Sequence, residues 1–463
     1  MIDFISTKDN YTGNLMELVR AFHVRTDKDF SINLDYATDT DRMSVSLKLS
    51  GEVEKEYTRE FHIVFKDEME RKRLEKRYLK EAIYHAVVDY TGVQLPYGCL
   101  TGIRPTKLFR ELGARARDMF ENEFSVSQKK VDLVEKIVKV QEPYRNDGDG
   151  YDVFVFIPFC PTRCTYCSFV SVPIDKQKKL IEPYVECLLK EIEFIKEVVL
   201  KKGLKIRTVY VGGGTPTSIP IDLLDKILGS LEWFKPFEFT VEAGRPDTIN
   251  IDILTMLKSH GVSRISINPQ TFNDKTLALI GRKHTTALVE EVFEMAKDMF
   301  SVNMDLIACL PGESLDDFKH SVDKAISFNP DNITVHTLYL KKGSALKVGG
   351  YQSTDNDSYE KMVDYAQDEL MKAGYEPYYM YRQKYTSANL ENVGYAKPKT
   401  LCVYNVDIME EDTSILAMGA AAISKKWSKD LNLIERNANY KEPLEYVKHF
   451  DTVLEKQRKF WLE

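Results

Sequence analysis

The chain has 463 residues, of which 43% are hydrophobic and 29% charged, so it is long enough for two or three globular domains with sizeable cores. Its formal net charge of −7 at pH 7 argues against nucleic-acid binding, because proteins that bind nucleic acids usually carry an excess of basic residues. No stretch is apolar for long enough to span a membrane, and the N-terminal residues lack the features of a signal peptide, so a cytoplasmic protein is expected.

The first part of the chain predicts a domain that combines strands and helices. Residues 43–65 alternate apolar and polar side chains, which indicates a pair of strands. Two helical regions follow, and the second ends at a run rich in Asp, Gly and Asn that is typical of a linker. We therefore predict an α+β N-terminal domain over residues 1–147.

The middle of the chain, residues 148–349, alternates strands with amphipathic helical segments. Six candidate strands begin at Val153, Arg207, Glu238, Arg264, Val302 and Asn332. Strands that are joined by helices run parallel, so this pattern predicts a parallel sheet, either curled into a partial barrel or flat and doubly wound. In both arrangements the functional groups gather at the carboxyl ends of the strands.

From about residue 350 the alternation stops. A helix and a tyrosine-rich segment, YEPYYMYRQKY, precede mixed elements that continue to residue 463. We predict a C-terminal mixed domain over residues 350–463 that covers the opening of the barrel.

Three of the seven cysteines, Cys160, Cys164 and Cys167, fall within eight positions directly after the first strand of the alternating region. Their thiolates suit an iron–sulfur cluster or zinc, but a structural zinc site normally has four ligands and only three are close here. Three thiolates leave one iron of a cubane cluster open, and an open iron can chelate the amino and carboxylate groups of S-adenosylmethionine. A zinc site completed from elsewhere and three buried thiols are the alternatives.

Glycines and polar residues follow the later strands. Gly212, Gly213 and Gly214 end the second strand and let a ligand approach the backbone closely. The polar residues at the third to sixth strand ends are Glu242, Asn268, Gln270, Arg282, His284, Asp305 and His336. Each alone is typical of an ordinary loop, and His336 could equally belong to the core, but together they predict a binding site.

These segments together resemble the radical S-adenosylmethionine superfamily, and within it the oxygen-independent coproporphyrinogen III oxidase-like group. The segments that carry the resemblance are IPFC, VGGGTPT, IGRKH, MDLIACLPGE and AMGAAAIS. The resemblance covers nearly the whole chain. It implies a partial (β/α)6 barrel, a [4Fe-4S] cluster on Cys160, Cys164 and Cys167, and one or two molecules of S-adenosylmethionine.

The resemblance also implies roles for individual residues. Phe154, Gly213, Glu242 and Ile423 match positions that line the S-adenosylmethionine bound to the cluster. The positions that match a second S-adenosylmethionine site are Tyr166, Gly214, Thr215, Gln270, Arg282, Asp305 and Tyr339. The chain departs from the family at Phe154 and Phe156, where the family has Tyr and His, and at Ser168–Phe169, where the oxidases often have Gly–Cys.

The activity that the resemblance implies is oxidative decarboxylation of coproporphyrinogen III to protoporphyrinogen IX in anaerobic heme biosynthesis. In the family's chemistry a 5′-deoxyadenosyl radical removes hydrogen from a propionate β-carbon, and carbon dioxide and one electron are then lost. A low-potential electron donor such as flavodoxin or ferredoxin is implied as a partner.

The substrate of that reaction has four carboxylates, which need cations. The candidates are Arg104, Arg245, Arg382 and Lys384. The alternative functions are heme binding or delivery, and radical methyl transfer or ring opening on a tetrapyrrole. No nucleic-acid or membrane partner is expected, and the sequence leaves the oligomeric state open.

Overall fold

The structure is a computed structural model that describes residues 2–146, 148–167, 169–339, 344–349, 356–383, 390–429 and 433–463. These residues form two compact units. The first comprises the described residues of Met1–Lys139, Ser353–Glu360 and Tyr381–Glu391. The second comprises those of Val140–Gln352, Lys361–Met380 and Asn392–Glu463.

The first unit contains a four-stranded sheet in the order β1-β2-β3-β4, where β1 and β2 are parallel and the other neighbours antiparallel. Its strands are β1 (Ile2–Ser6), β2 (Phe30–Thr38), β3 (Arg42–Ser50) and β4 (Glu54–His62). The predicted strand pair is therefore present as β3 and β4. Alternate residues of β3 are buried, because one face of the sheet packs on the core of the unit.

Helices α1 to α5 belong to this part of the chain. They are α1 (Thr12–His23), α2 (Glu68–Thr91), α3 (Pro105–Leu112), α4 (Ala116–Asp118) and α5 (Gln128–Gln141). The longest, α2, begins where the side chain of Asp67 accepts a hydrogen bond from the N–H of Glu70, and it ends at Gly92 in the left-handed conformation.

Eleven strands within the described ranges form one sheet, and a separate pair flanks it. The strands of the sheet are β5 (Gly150–Ile157), β8 (Lys205–Gly213), β9 (Glu238–Val241), β10 (Arg264–Ser266), β11 (Ser301–Ala308), β12 (Asn332–Thr337), β13 (Glu376–Arg382), β14 (Glu391–Ala396), β15 (Ser414–Met418), β16 (Ile423–Ser428) and β17 (Leu433–Ala438). The flanking pair is β6 (Phe159–Cys160) and β7 (Val172–Pro173).

The centre of this sheet is parallel, in the order β12-β11-β10-β9-β8-β5-β15. The six predicted strands are all present, and the predicted α/β class with a parallel sheet is confirmed. A seventh parallel strand, β15, pairs with β5 and was not predicted. Strand β14 is antiparallel to β12, and β16 and β17 are antiparallel to their neighbours, so these three strands extend the same sheet. The three-domain division stays a prediction.

Helices connect the strands and follow them to the C-terminus. They are α6 (Ile174–Lys202), α7 (Ile221–Leu231), α8 (Ile251–Ser259), α9 (Asp274–Leu279), α10 (Thr286–Ala296), α11 (Leu315–Phe328), α12 (Ala345–Val348), α13 (Asn356–Lys372), α14 (Val403–Glu410), α15 (Pro443–Lys448) and α16 (Phe450–Leu462). Several begin at a side-chain cap, and Ser314 and Asp317 form a reciprocal capping box at α11. In the described part of the chain, no helix combines the length and apolar character that crossing a bilayer requires.

A fully buried carboxylate, Glu191 on α6, connects the end of β15 to the C-terminal helices. It accepts hydrogen bonds from the N–H of Gly419 at 2.8 Å, Tyr446 Oη at 2.7 Å, Asn439 Nδ2 at 2.8 Å and Gln457 Nε2 at 3.0 Å. Burial raises the pKa of Glu191, and these four donors oppose that rise. One side chain therefore satisfies donors from four separate segments.

We predict that Glu191→Ala lowers the free energy of unfolding by at least about 3 kcal/mol, because each buried donor left without an acceptor costs about 1–3 kcal/mol. Urea denaturation followed by circular dichroism measures the change. The control is Glu193→Ala on the same helix, which removes a surface pair with Lys196 and is expected to cost under about 1 kcal/mol. Equal stabilities of the two variants would contradict the role of Glu191.

Candidate functional site

The cysteine motif forms a tight loop just beyond β5. Cys160 ends β6, and Cys164 and Cys167 lie in the turn that follows. The N–H of Cys167 donates to the carbonyl oxygen of Cys164 at 3.1 Å, which curves the loop. All three thiols are partly exposed and none is in a disulfide. The loop thus holds three free thiols close together in sequence, and none of them is completely buried.

This loop is held against the segment IGRKH. The N–H of Thr165 donates to the carbonyl oxygen of Ile280 at 3.0 Å, and the hydroxyl of Thr162 donates to that of Gly281 at 3.4 Å. The sequence predicted a binding role for IGRKH through Arg282 and His284. The structure gives the segment a further role, which is to support the cysteine loop.

The glycine segment at the end of β8 packs against the same loop. Gly214 donates its N–H to the carbonyl oxygen of Ile157 at 2.8 Å, and Thr215 donates its own to that of Phe159 at 2.7 Å. A methyl group on Gly214 would lie 2.5 Å from the oxygen of Phe159, so only glycine fits there. The hydroxyl of Thr215 lies 3.5 Å from the sulfur of Cys160. Hydrogen bonds and close packing therefore join the glycine segment and the cysteine loop into one structural unit.

Glu242, at the end of β9, points towards this glycine segment. Its carboxylate accepts hydrogen bonds from Tyr210 Oη at 2.6 Å and from the N–H of Gly213 at 3.1 Å. Gly213 has a φ of 111°, which residues with a side chain rarely adopt. Burial raises the pKa of Glu242 and the charge of Asp305 adds to it, while the two hydrogen bonds oppose the rise.

Asp305 on β11 faces His336 on β12. Asp305 Oδ2 lies 3.6 Å from His336 Nε2, and Oδ1 accepts a hydrogen bond from Asn303 at 2.7 Å. Burial alone would raise the pKa of Asp305, but the contact with His336 and its charge outweigh burial and lower it. Gln270 joins this group through its backbone, which pairs with Asp305 and Ile307 beside β11.

Arg282, which is buried, pairs with Tyr166, a partly buried residue of the cysteine loop. Arg282 Nη2 donates to Tyr166 Oη at 3.1 Å, and Nη1 donates to the carbonyl oxygens of Gly244 at 3.0 Å and Asn268 at 3.4 Å. Burial works to lower the pKa of Arg282, but Tyr166 and Cys164 outweigh it and raise the pKa. The nearby His284 is buried, and burial and Arg282 lower its pKa to about 4, so it is neutral at pH 7.

Three further predicted cofactor residues lie on or directly after strands β5, β16 and β12. Phe154 lies on β5 with its ring parallel to that of Tyr404 at a centroid distance of 6.0 Å. Ile423 begins β16 and is 45% exposed. Tyr339 lies just after β12 and is partly buried. The roles of these residues in binding a cofactor stay predictions.

Sequence reasoning missed the partners of the site residues. Tyr210, which holds Glu242, lies within a strand and carries no signal beyond its apolar surroundings. Arg245 was predicted as a substrate ligand, but its guanidinium forms two hydrogen bonds with Asp247, at 2.8 and 2.7 Å, and faces Cys164. The sequence RPD, directly after the third strand, contains both members of this pair and was the signal from which it could have been predicted.

The residues present fit an iron–sulfur cluster. Within the described ranges, no three His, Cys, Asp or Glu side chains are grouped as ligands of a single metal ion would be. The thiolates of a cubane bind separate irons, so they do not share one ion. Burial raises the pKa of the Cys160 and Cys167 thiols, while hydrogen-bond donors near their sulfurs oppose the rise. Soft thiolates beside a glycine segment, which leaves room for a ligand at the backbone, suit a cluster that carries a small-molecule ligand.

The chain matches the radical SAM superfamily over residues 154–325. It is 34% identical over 452 residues to the oxygen-independent coproporphyrinogen-III oxidase-like protein HemZ of Bacillus subtilis, and this match covers 93% of the chain and 90% of that protein. The chain belongs to this family of radical SAM proteins. Family membership implies a [4Fe-4S] cluster and S-adenosylmethionine.

Two other similarities are partial. The heme chaperone HemW of Lactococcus lactis is 32% identical over 235 residues, which cover 49% of this chain and 60% of that protein. Coproporphyrinogen III oxidase (HemN) of Escherichia coli has a similar structure, with a TM-score of 0.54 and 22% identity over 68% of this chain and 73% of that chain. The structural similarity confirms the radical SAM fold.

We predict that Gly214→Ala reduces the iron bound after anaerobic reconstitution well below that of the unchanged chain. The added methyl group collides with the carbonyl oxygen of Phe159 and displaces Cys160 beside it. Iron analysis and the visible absorption of the cluster measure the effect, and circular dichroism checks the fold. Gly13→Ala is the control, because a methyl group there meets no atom within 4 Å. Full iron content in Gly214→Ala would contradict the prediction.

Proposed function

We propose that the chain catalyses the oxidative decarboxylation of coproporphyrinogen III to protoporphyrinogen IX. The observation that carries this proposal is the similarity to the oxidase-like protein of Bacillus subtilis, which extends over 93% of this chain. A similarity limited to the cofactor-binding part would support a shared cofactor alone. Here the similarity includes the parts of the chain on both sides of it.

Cys160, Cys164 and Cys167 hold the cluster in this proposal. The bound cluster and S-adenosylmethionine supply the one-electron chemistry, and the protein supplies position and protection. Thr162 and Thr165 keep the cysteine loop against IGRKH, while the backbone of Gly214 keeps it against β8.

The polar groups around the cysteine loop bind S-adenosylmethionine in this proposal. Glu242, already oriented by Tyr210, receives an ammonium or hydroxyl group of the ligand. Asp305 offers a second carboxylate, and its lowered pKa keeps it ionised at neutral pH. The remaining proposed cofactor residues are Phe154, Tyr166, Gly213, Gly214, Thr215, Gln270, Arg282, Tyr339 and Ile423.

The predicted cations for the substrate's carboxylates need revision. Arg382 is only 3% exposed, donates to the carbonyl oxygen of Leu100 at 2.6 Å and lies 4.0 Å from the ring centroid of Tyr97. It therefore packs the first unit and is not a candidate substrate ligand. Arg245 is 4% exposed and paired with Asp247. Arg104 stays a candidate at the start of α3, and Lys384 lies outside the described residues.

Heme handling without decarboxylation is a second candidate function. It is favoured by the 32% identity to the heme chaperone HemW, although the chain spans 60% of that protein. Both functions keep the cluster site, so the fate of the tetrapyrrole distinguishes them. A low-potential electron donor of the flavodoxin or ferredoxin type and a cytoplasmic location remain part of the proposal.

The test is an anaerobic reaction of the reconstituted protein with S-adenosylmethionine, a strong reductant, an electron acceptor and coproporphyrinogen III. Mass spectrometry is expected to detect a product in which two propionates have become vinyl groups, together with 5′-deoxyadenosine. Cys164→Ser should abolish both products, because the cluster loses a ligand. Cys187→Ser is the matched control, since that half-buried thiol lies on α6 and is not part of the cysteine motif.

The other outcomes are equally specific. Transfer of unchanged heme to a heme-free acceptor protein, with no vinyl product, would replace the proposal by heme delivery. A methylated or ring-opened tetrapyrrole would replace it by the corresponding radical reaction. Stoichiometric zinc and no iron uptake would overturn the cluster assignment itself.

A further inference from the structure

Arg245 directs a buried positive charge at one of the three cysteines. Its Nη1 atom lies 3.8 Å from Cys164 Sγ and donates a hydrogen bond to the hydroxyl of Thr162 at 3.1 Å. The side chain is 4% exposed. A guanidinium this well removed from water interacts strongly with nearby charge, because little solvent screens it.

Asp247 fixes the direction of that guanidinium. Asp247 Oδ1 accepts a hydrogen bond from Nε at 2.8 Å, and Oδ2 accepts one from Nη2 at 2.7 Å, so the pairing is bidentate. This pairing occupies one edge of the planar group and leaves Nη1 facing the cysteine loop. The intervening Pro246 begins a short 3₁₀ turn, which places the two side chains side by side.

Hydrogen bonds and charges around cluster sulfurs tune the reduction potential of iron–sulfur proteins. Reduction adds negative charge to the cluster and its thiolates. A cation that donates to a ligating sulfur therefore stabilises the reduced form more than the oxidised form. A carboxylate next to that cation has the opposite effect, because its charge repels the added electron.

We propose that Arg245 raises the reduction potential of the cluster through Cys164, and that Asp247 both orients Arg245 and partly offsets its charge. Arg245 is thus a positioning and tuning residue rather than a ligand of a substrate carboxylate. This inference rests on the cluster being held by Cys160, Cys164 and Cys167. It does not depend on the tetrapyrrole substrate.

The test is a redox titration of the reconstituted protein, followed by electron paramagnetic resonance without S-adenosylmethionine or tetrapyrrole. Arg245→Met should lower the midpoint potential, with at least a tenfold fall in the equilibrium constant for one-electron reduction, which is about 59 mV. Asp247→Asn should raise the midpoint potential, because it removes the opposing negative charge. The opposite signs separate tuning from a structural role, since loss of a purely structural pair would affect both variants alike.

Arg207→Met is the matched control. Arg207 also pairs with a buried carboxylate, Asp407 Oδ2 at 2.8 Å, but it lies near the start of β8, about 20 Å along the strand from Gly213. This variant should leave the midpoint potential unchanged. Iron content is measured for every variant, so that a lost cluster is not mistaken for a shifted potential.

An unchanged midpoint potential in Arg245→Met with full iron content would overturn the inference, as would shifts of the same sign in the Arg245 and Asp247 variants. If Arg245→Met fails to assemble a cluster, the midpoint potential of Asp247→Asn becomes the test. If that potential does not rise, the inference is overturned. Failure of the unchanged protein to bind iron would instead overturn the cluster assignment. Lack of a vinyl product would bear on the proposed function alone.

Discussion

The parallel pairing of β5 with β8 brings the cysteine motif and the glycine segment into contact. The register joins Ile157 to Gly213, and beyond the paired residues Gly214 and Thr215 continue to donate to the carbonyl oxygens of Ile157 and Phe159. Because Gly214 has no side chain, the two chain segments can approach this closely. Glu242 follows β9 directly, while Asp305 and His336 lie within the neighbouring parallel strands β11 and β12.

Buried ionisable groups around this sheet have hydrogen-bond partners with defined geometry. Glu191 has four donors, Glu242 has two, and Arg245 has a bidentate carboxylate. Removing any of these groups from water is costly unless hydrogen bonds replace those that water made. Each arrangement therefore restricts the chain segments that form it to few conformations. In the site, that restriction orients Glu242 and Arg245 before any ligand binds.

The sequence was sufficient for the parallel strands and for the strand-end location of the candidate site. Those features depend on local periodicity and on glycine, which are visible in a single chain. The strand β15 was missed, because a five-residue apolar run has no periodic signal and its partner β5 is remote in sequence. The environments of Arg245 and Arg382 were also beyond prediction. Side-chain direction depends on tertiary contacts, and both residues read as exposed loop cations in the sequence.

The position of β15 also has a consequence for the order of assembly. Ser414 pairs with Tyr151, so the edge of β5 opposite β8 has no neighbour until the ribosome has made most of the chain. Pairings between such distant segments form slowly, because a long loop must close first. The cysteine loop lies just beyond this late-closing edge. The strand that leads into the cysteine loop is therefore paired on both edges only after residues 414–418 have been made, late in the synthesis of the chain.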